Sequence, residues 1–130
     1  GYIIRDFDKA GFEKRKETMV SIAYALNKKY GDGTVKIILN DQYYNMKEKL
    51  ADKMQIVDMA KKAMEEAGVE VKIRPVRGGT DGARLSYMGL PTPNIFDGGH
   101  NFHGRFEYIP VKSMEKAVDV ILNIIKDLCE

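Results

Sequence analysis

The chain has 130 residues, a hydrophobic content of 44% and a formal net charge of +2 from 21 basic and 19 acidic residues. Because the two signs are interspersed, the composition argues against a dedicated nucleic-acid surface, which needs Lys and Arg gathered on one face. The sequence shows no apolar run that could cross a bilayer and no signal peptide, so we expect no membrane partner. The single cysteine, Cys129, excludes an intramolecular disulfide and favours a reducing, cytoplasmic location.

The N-terminal third predicts a strand, a helix and a second strand. Residues 2–7 are rich in β-forming side chains, and Asp8 is a suitable N-cap for a helix over residues 9–30. Gly31 then ends this helix, and residues 34–44 form the second strand. This part of the chain is therefore predicted to be one βαβ unit.

The remaining two-thirds predict helices that alternate with short strands. After a polar connector, the predicted elements are a helix over 54–67, strands over 69–74 and 93–96, a short helix over 81–88, a further strand over 107–111 and a last helix capped by Ser113. This α-β-α-β-α order predicts an α/β fold with helices packed on a mixed, mostly parallel sheet. The apolar positions of the last helix that we expect to face the core are Ala117, Ile121, Leu122, Ile125 and Leu128.

Residues 77–104 concentrate the chemistry of the chain. This stretch contains seven of the twelve glycines and both histidines, His100 and His103. Glycine allows a backbone to approach a ligand, and histidine is a common metal ligand and proton carrier. In a parallel sheet, ligands bind where strands end and loops begin, which is the predicted position of this stretch. Any site of this chain is therefore expected here.

Each motif in this stretch also has a structural interpretation. The GGTDG segment is either an anion cradle or a tight turn in which Thr80 or Asp81 caps a helix, and caps are the commoner case. Arg77 either binds a substrate carboxylate or pairs with a nearby aspartate. Two histidines three residues apart are too few for a zinc site, which needs three or four ligands. The aromatic pair Tyr43 and Tyr44 is either a binding platform or strand-end packing.

Several motifs together resemble those of the peptidase T family, the tripeptide aminopeptidases among the dinuclear-zinc metallopeptidases. The matching segments, which cover nearly the whole chain, are YIIRDFDKAGFEKRK, DQYYNMKEK, RGGTDGARLSYMGLPTPNIFDGGHNFHGRFEYIPV and MEKAVDVILNII. The combination of RGGTDGA with the downstream GLP, PNIF and N-x-H-G elements is specific rather than a generic glycine pattern. The chain resembles the C-terminal portion of these enzymes only.

The resemblance implies two partial domains and a metal. Residues 1–44 correspond to the second half of a lid domain of the dimerisation type, and residues 45–130 to the C-terminal part of the zinc peptidase catalytic domain. The intact enzyme would use two zinc ions to activate water and polarise the scissile carbonyl of a small peptide. Of the metal ligands only the histidine of N-x-H-G falls in this chain, at His103. The other ligands and the glutamate that acts as general base are expected outside this chain.

The same resemblance implies substrate contacts, and it leaves two residues without a role. The residues implied to contact substrate are Arg77, Gly79, Thr80, Asp81 and Asn45. Arg77 would hold a peptide carboxylate because its planar guanidinium matches that group. His100 and Arg84 receive no role.

The isolated chain is predicted to be inactive, because one histidine cannot hold two zinc ions and the general base is absent. Exposed strand edges and an apolar face would favour self-association or a homodimer. Two alternatives remain for the chain itself. It is either a non-catalytic module that binds small anions through the GGTDG turn and Arg77, or an interaction fragment that docks on a partner chain.

Overall fold

The computed structural model describes residues 1–76 and 78–129 of the chain. The helices in this part are α1 (Lys9–Tyr30), α2 (Lys47–Leu50), α3 (Met54–Glu66), α4 (Asp81–Tyr87) and α5 (Val111–Cys129). No helix of this part is long and apolar enough to cross a membrane.

The first predicted helix is confirmed at both ends. The Asp8 carboxylate accepts a hydrogen bond from the Gly11 N–H at 2.7 Å, which satisfies one of the free donors of the first turn. At the other end Gly31 has a φ of 107°, and its N–H donates to the Asn27 carbonyl. A side chain at Gly31 would be strained at this φ, so the glycine ends the helix for the expected reason.

The later helices are also close to their predicted bounds. Helices α3 and α4 are confirmed within one residue. Helix α5 begins at Val111, two residues before the predicted cap, because Pro110 precedes the helix and its carbonyl accepts the N–H of Met114. The predicted connector over 45–53 contains the one-turn helix α2, which its polar sequence did not indicate.

The predicted α/β fold with a mostly parallel sheet is wrong for this structure. Residues 2–7, 34–44, 69–74 and 93–96 contain no strand pairing, and among the described residues the β-type pairing is an isolated antiparallel bridge between His100 and Tyr108. A strand exists only when a neighbouring strand lies about 4.8 Å away to accept and donate its backbone hydrogen bonds. The β-branched residues of these segments indicate a preference, whereas the pairing depends on which segments the rest of the structure brings together.

A small core forms where α3 packs on α5. The side chains of Ala63 and Val120 are fully buried there, and Ala67 is nearly so. Around them pack the partly buried side chains of Met64, Val69, Phe96 and Ile124. The small alanines allow the two helices to approach closely.

Polar contacts hold the same pair of helices in register. The ammonium of Lys62 lies 2.9 Å from the carboxylate of Asp127, and the Asn123 amide donates to the Ala63 carbonyl at 3.2 Å. The Asn123 contact uses a carbonyl of the α3 backbone, so it adds a directional constraint that apolar packing lacks.

The predicted core face of α5 is largely wrong. Ile121, Leu122 and Leu128 are exposed, the last by 67%, whereas Val120 and Ile124 make the contact with α3. The apolar side chains of helix α5 lie together on one face, and α3 packs against the edge of that face which carries Val120 and Ile124. Because periodicity does not show which side a neighbour covers, the apolar pattern could not identify the contact face.

Helix α1 is attached to the segment before α2 by a charged and aromatic cluster. The Lys16 ammonium lies 2.8 Å from both the Glu13 and the Asp41 carboxylates, and the Tyr44 hydroxyl donates to Asp41 at 2.6 Å. The Phe12 and Tyr44 rings pack edge to face, 5.8 Å apart. The hydrogen bond from Lys16, followed by that from Tyr44, holds the pKa of Asp41 below its ordinary value of 3.8.

We expect acid to weaken this attachment. Since the pKa of Asp41 is lower in the folded chain, its contribution is complete above the ordinary value of 3.8 and is lost as the pH falls through the folded value. Urea unfolding at pH 7 and pH 3 should show a smaller loss of stability with acid in Asp41→Asn than in the parent chain. Asp52→Asn, a change of another exposed aspartate, is the control and should leave the loss unchanged. An equal acid effect in Asp41→Asn and the parent would contradict this account.

Candidate metal and substrate site

The His103 imidazole is presented by a closed loop over residues 100–108. The backbones of His100 and Tyr108 exchange two hydrogen bonds of 2.8 and 3.2 Å, which join the two ends of the loop. The rings of these two residues also stack, 5.1 Å apart. Inside the loop, Gly104 N–H donates to the Asn101 carbonyl at 2.8 Å, and the Asn101 amide donates to the Phe106 carbonyl at 3.2 Å. The loop is thus fixed by its own hydrogen bonds.

Two residues of this loop have left-handed backbone conformations. Asn101 has a φ of 57° and His103 a φ of 63°, which are the two positive values among the described residues other than glycine. Asparagine adopts this region readily, whereas for most other side chains it costs about 1–2 kcal/mol. The Glu107 carboxylate accepts the His103 N–H at 2.8 Å, and this contact opposes the cost. Strain that the surroundings maintain is found often at functional sites.

The loop is packed against the start of α5. A Cβ atom placed on Gly98 would lie 2.5 Å from the Cβ of Ser113, in the first turn of α5. The Phe102 ring lies so close to Gly99 that a Cβ there would be 2.6 Å from it. Phe96, two residues before Gly98, is part of the α3–α5 core. Glycine is needed at both positions for close approach, and the loop is thereby joined to the best packed part of the chain.

The GGTDG segment begins α4, and here the helix-cap interpretation is confirmed for Thr80. Its hydroxyl oxygen accepts the Ala83 N–H at 3.1 Å and the Asn94 amide at 3.2 Å. Asp81 lies exposed in the first turn of α4, where a carboxylate is favourable to the helix dipole. Thr80 therefore has a structural role, and the exposed Asp81 carboxylate is the side-chain group of this turn that remains accessible.

Helix α4 packs against residues 92–94 through a glycine. A Cβ atom on Gly82 would lie 2.5 Å from the Thr92 carbonyl oxygen and 2.8 Å from the Asn94 side-chain oxygen. The Ser86 hydroxyl, on the same buried side, accepts the Thr92 N–H at 2.9 Å.

We expect Gly82→Ala to destabilise the chain by about 1–3 kcal/mol, although alanine is the better helix former, because the added methyl group meets backbone that cannot move cheaply. Gly78→Ala is the matched control, because a Cβ atom there has nothing within 4 Å, and it should change stability by less than about 0.5 kcal/mol. Urea unfolding followed by far-ultraviolet circular dichroism measures both. A neutral Gly82→Ala would show that the 92–94 segment relaxes around α4.

Asn45 connects the segment before α1 to helix α4. Its amide nitrogen donates to the Phe7 carbonyl at 3.0 Å and its amide oxygen accepts the Lys47 N–H at 3.0 Å. The Tyr87 hydroxyl donates to the Asn45 carbonyl at 3.1 Å. Each end of the Asn45 amide therefore makes one hydrogen bond, and each keeps one further donor or acceptor position for a substrate contact.

The two neighbouring tyrosines pack rather than form an open platform. The Tyr43 ring lies against Gly79, where an added Cβ would be 2.6 Å from the ring. Tyr44 packs between Phe12 and Tyr87, with ring centroids 5.8 and 6.0 Å away. These contacts place Gly79 beside the segment that carries Asn45.

The structure thus brings part of the predicted site together. Gly79, Thr80, Asp81 and Asn45 are gathered around α4, while His103 lies in a separate loop that is linked to α4 through residues 94–97. Within residues 1–76 and 78–129, no hydrogen bond or ion pair connects His103 to the α4 group. Arg77, the predicted carboxylate-binding residue, lies outside the described residues.

No group of three or more His, Cys, Asp or Glu side chains that could hold a metal ion is found in the described part of the chain. The His103 imidazole has the chemistry of a zinc ligand, its residue is exposed, and its backbone is held by the loop. His103 therefore fits the role of one ligand in a zinc site whose other ligands come from outside the described residues.

Sequence reasoning missed the contacts of Glu107 and Asn94. Glu107 lies four residues after His103, and Asn94 lies fourteen residues after Thr80. The close spacing of His103 and Glu107 around a glycine was a usable signal of a turn. No local pattern indicated that Asn94 would reach Thr80.

A family model described as "Peptidase family M20/M25/M40" matches residues 16–127. The chain is 66% identical over 129 residues to a peptidase T of Clostridium perfringens (strain SM101 / Type A), which covers 99% of this chain and 32% of that relative. It is 66% identical over 125 residues to a peptidase T of Halothermothrix orenii, which covers 96% of this chain and 31% of the relative. A peptidase T of Desulfitobacterium hafniense is 62% identical over 125 residues. The chain therefore spans about a third of the length of the curated relatives it matches.

Proposed function

The chain belongs to peptidase family M20/M25/M40, whose members are generally metal-dependent, and we propose that it is the C-terminal third of a zinc aminopeptidase acting on tripeptides. Identities above 60% to proteins named peptidase T, over at least 96% of this chain, support the proposal. Residues 1–44 would belong to the lid domain and residues 45–130 to the catalytic domain. The single observation that carries the proposal is this identity over nearly the whole chain, and the exposed His103 in its internally bonded loop agrees with it.

In this enzyme His103 would hold one of two zinc ions through an imidazole nitrogen. Bound zinc supplies Lewis acidity, which polarises a carbonyl and makes water nucleophilic near neutral pH. The close packing of Gly98 on Ser113, at the start of α5, would keep the loop in place during turnover. The general base is expected outside this chain.

The peptide substrate would lie against the α4 group. Gly79 and Asp81 are exposed, and the Arg77 guanidinium would bind a peptide carboxylate. Thr80 would act by holding the shape of this turn, since its hydroxyl already accepts two hydrogen bonds. Asn45 would contact substrate through the second N–H of its amide, since the first donates to the Phe7 carbonyl.

The apolar surface that α5 exposes indicates that the chain packs against further protein in a larger assembly. Leu122, Ile125 and Leu128 of α5 are each more than half exposed. Contiguous apolar surface of this kind normally marks an interface. We propose that the isolated chain self-associates and that the whole protein, a cytoplasmic enzyme, forms a homodimer.

The test uses an exchange protein, in which this chain replaces the matching third of the Clostridium perfringens relative. Tripeptide hydrolysis with zinc should occur in the exchange protein and be absent from the isolated chain. Dipeptide and tetrapeptide substrates of the same composition test the preference for tripeptides. A folded exchange protein that contains zinc and does not release N-terminal residues would contradict the proposed function, and activity of the isolated chain would contradict the incomplete site.

A further inference from the structure

We propose that Glu107 is a positioning residue for the metal ligand His103, acting through the backbone of the loop rather than through its charge. The inference rests on the proposed function, since it assumes that His103 binds metal. Its evidence is the hydrogen bond of 2.8 Å from the His103 N–H to a Glu107 carboxylate oxygen.

The hydrogen bond to Glu107 lies where it can orient the His103 side chain. The His103 N–H belongs to the peptide plane that leads into a left-handed residue with a φ of 63°. A hydrogen bond to this N–H fixes the orientation of the plane and therefore the direction in which the His103 side chain leaves the backbone.

Backbone hydrogen bonds of the loop hold Glu107 in place. The Glu107 N–H donates to the Gly104 carbonyl at 3.2 Å, and Tyr108, the next residue, is paired with His100. The carboxylate and the backbone of Glu107 thus bind the last two residues of the N-x-H-G turn, His103 and Gly104. A side chain at Gly104 would clash with the Asn101 carbonyl, 2.7 Å from its Cβ atom, so this compact turn needs glycine.

Groups that orient a metal ligand without touching the metal typically change metal affinity about 10–100-fold when removed. We expect a loss of this size in Glu107→Ala. Glu107→Gln retains an oxygen acceptor of the same reach and should bind zinc within about threefold of the parent, because the geometry is kept. Glu107→Asp keeps the charge but is one methylene shorter, so it should resemble Glu107→Ala.

The experiment measures zinc affinity of the exchange protein by competition with a chromogenic chelator, and visible spectra after cobalt substitution report the ligand geometry. Circular dichroism checks that each variant is folded, and Glu17→Ala, a change of an exposed glutamate on α1, is the matched control. Should Glu107→Ala fail to fold, the comparison of Glu107→Gln with Glu107→Asp decides the question. Retained affinity in Glu107→Asp together with a loss in Glu107→Gln would overturn the proposal in favour of a charge effect.

His103→Ala separates this inference from the proposed function. If His103→Ala weakens zinc binding and both Glu107→Ala and Glu107→Asp bind normally, the positioning role is wrong and the proposed function stands. If His103→Ala leaves zinc binding unchanged, the ligand assignment fails and the positioning role fails with it.

Discussion

His103→Ala should lower kcat/KM of the exchange protein for tripeptides by more than about 100-fold, the upper end of the effect of groups that only support a metal ligand. The physical reason is the loss of an imidazole donor from a site that needs three or four ligands. Zinc content after dialysis should fall together with activity. The measurement is steady-state hydrolysis with metal analysis of the same samples.

His100→Ala is the matched control for His103→Ala. His100 lies three residues earlier in the same loop, is exposed, and stacks on Tyr108 with its ring 5.1 Å away. Its backbone makes the closing bridge, and the alanine variant retains that backbone. We expect a change in kcat/KM of less than about threefold, or about 0.7 kcal/mol. Equal losses in the two variants would show that the loop, rather than the His103 imidazole, carries the effect.

Val120→Ala should lower the free energy of unfolding of the chain by about 2 kcal/mol. Val120 is the largest side chain with no exposure, and it lies between α3 and α5 beside Ala63. Removing two buried methyl groups loses their transfer free energy and leaves a cavity, since the alanines of α3 cannot fill the space. Urea unfolding followed by circular dichroism measures the change. The effect should extend to the 96–104 segment, because Phe96 packs in the same core.

Val118→Ala is the control on the same helix. Val118 is 53% exposed, two residues before Val120, so the same chemical change removes little buried area and should cost less than about 0.5 kcal/mol. A loss in Val118→Ala as large as that in Val120→Ala would show that a second surface covers this side of α5, for example in a self-associated chain. Repeating the measurement at several protein concentrations distinguishes that case, because stability then depends on concentration.

The sequence determined the elements whose causes are local. Asp8 and Gly31 bound α1, and the α4 cap was narrowed to Thr80 or Asp81, because helix ends are satisfied by groups within a few residues of the cap. The resemblance of the N-x-H-G segment to a peptidase family could likewise be identified without coordinates, and the family is confirmed by the match over residues 16–127. These features depend on residue type and spacing alone.

The tertiary structure decided everything that depends on which segments meet. The predicted parallel sheet is absent from residues 1–76 and 78–129, because an apolar segment becomes a strand only beside a partner. Val120 rather than Ile121 or Leu122 is buried, because α3 covers only one edge of the apolar face of α5. The hydrogen bond from His103 to Glu107 was also decided by the tertiary structure. The spacing of the two residues allowed a turn, but the His103 φ of 63° and the distance of 2.8 Å from its N–H to the Glu107 carboxylate are properties of the folded loop.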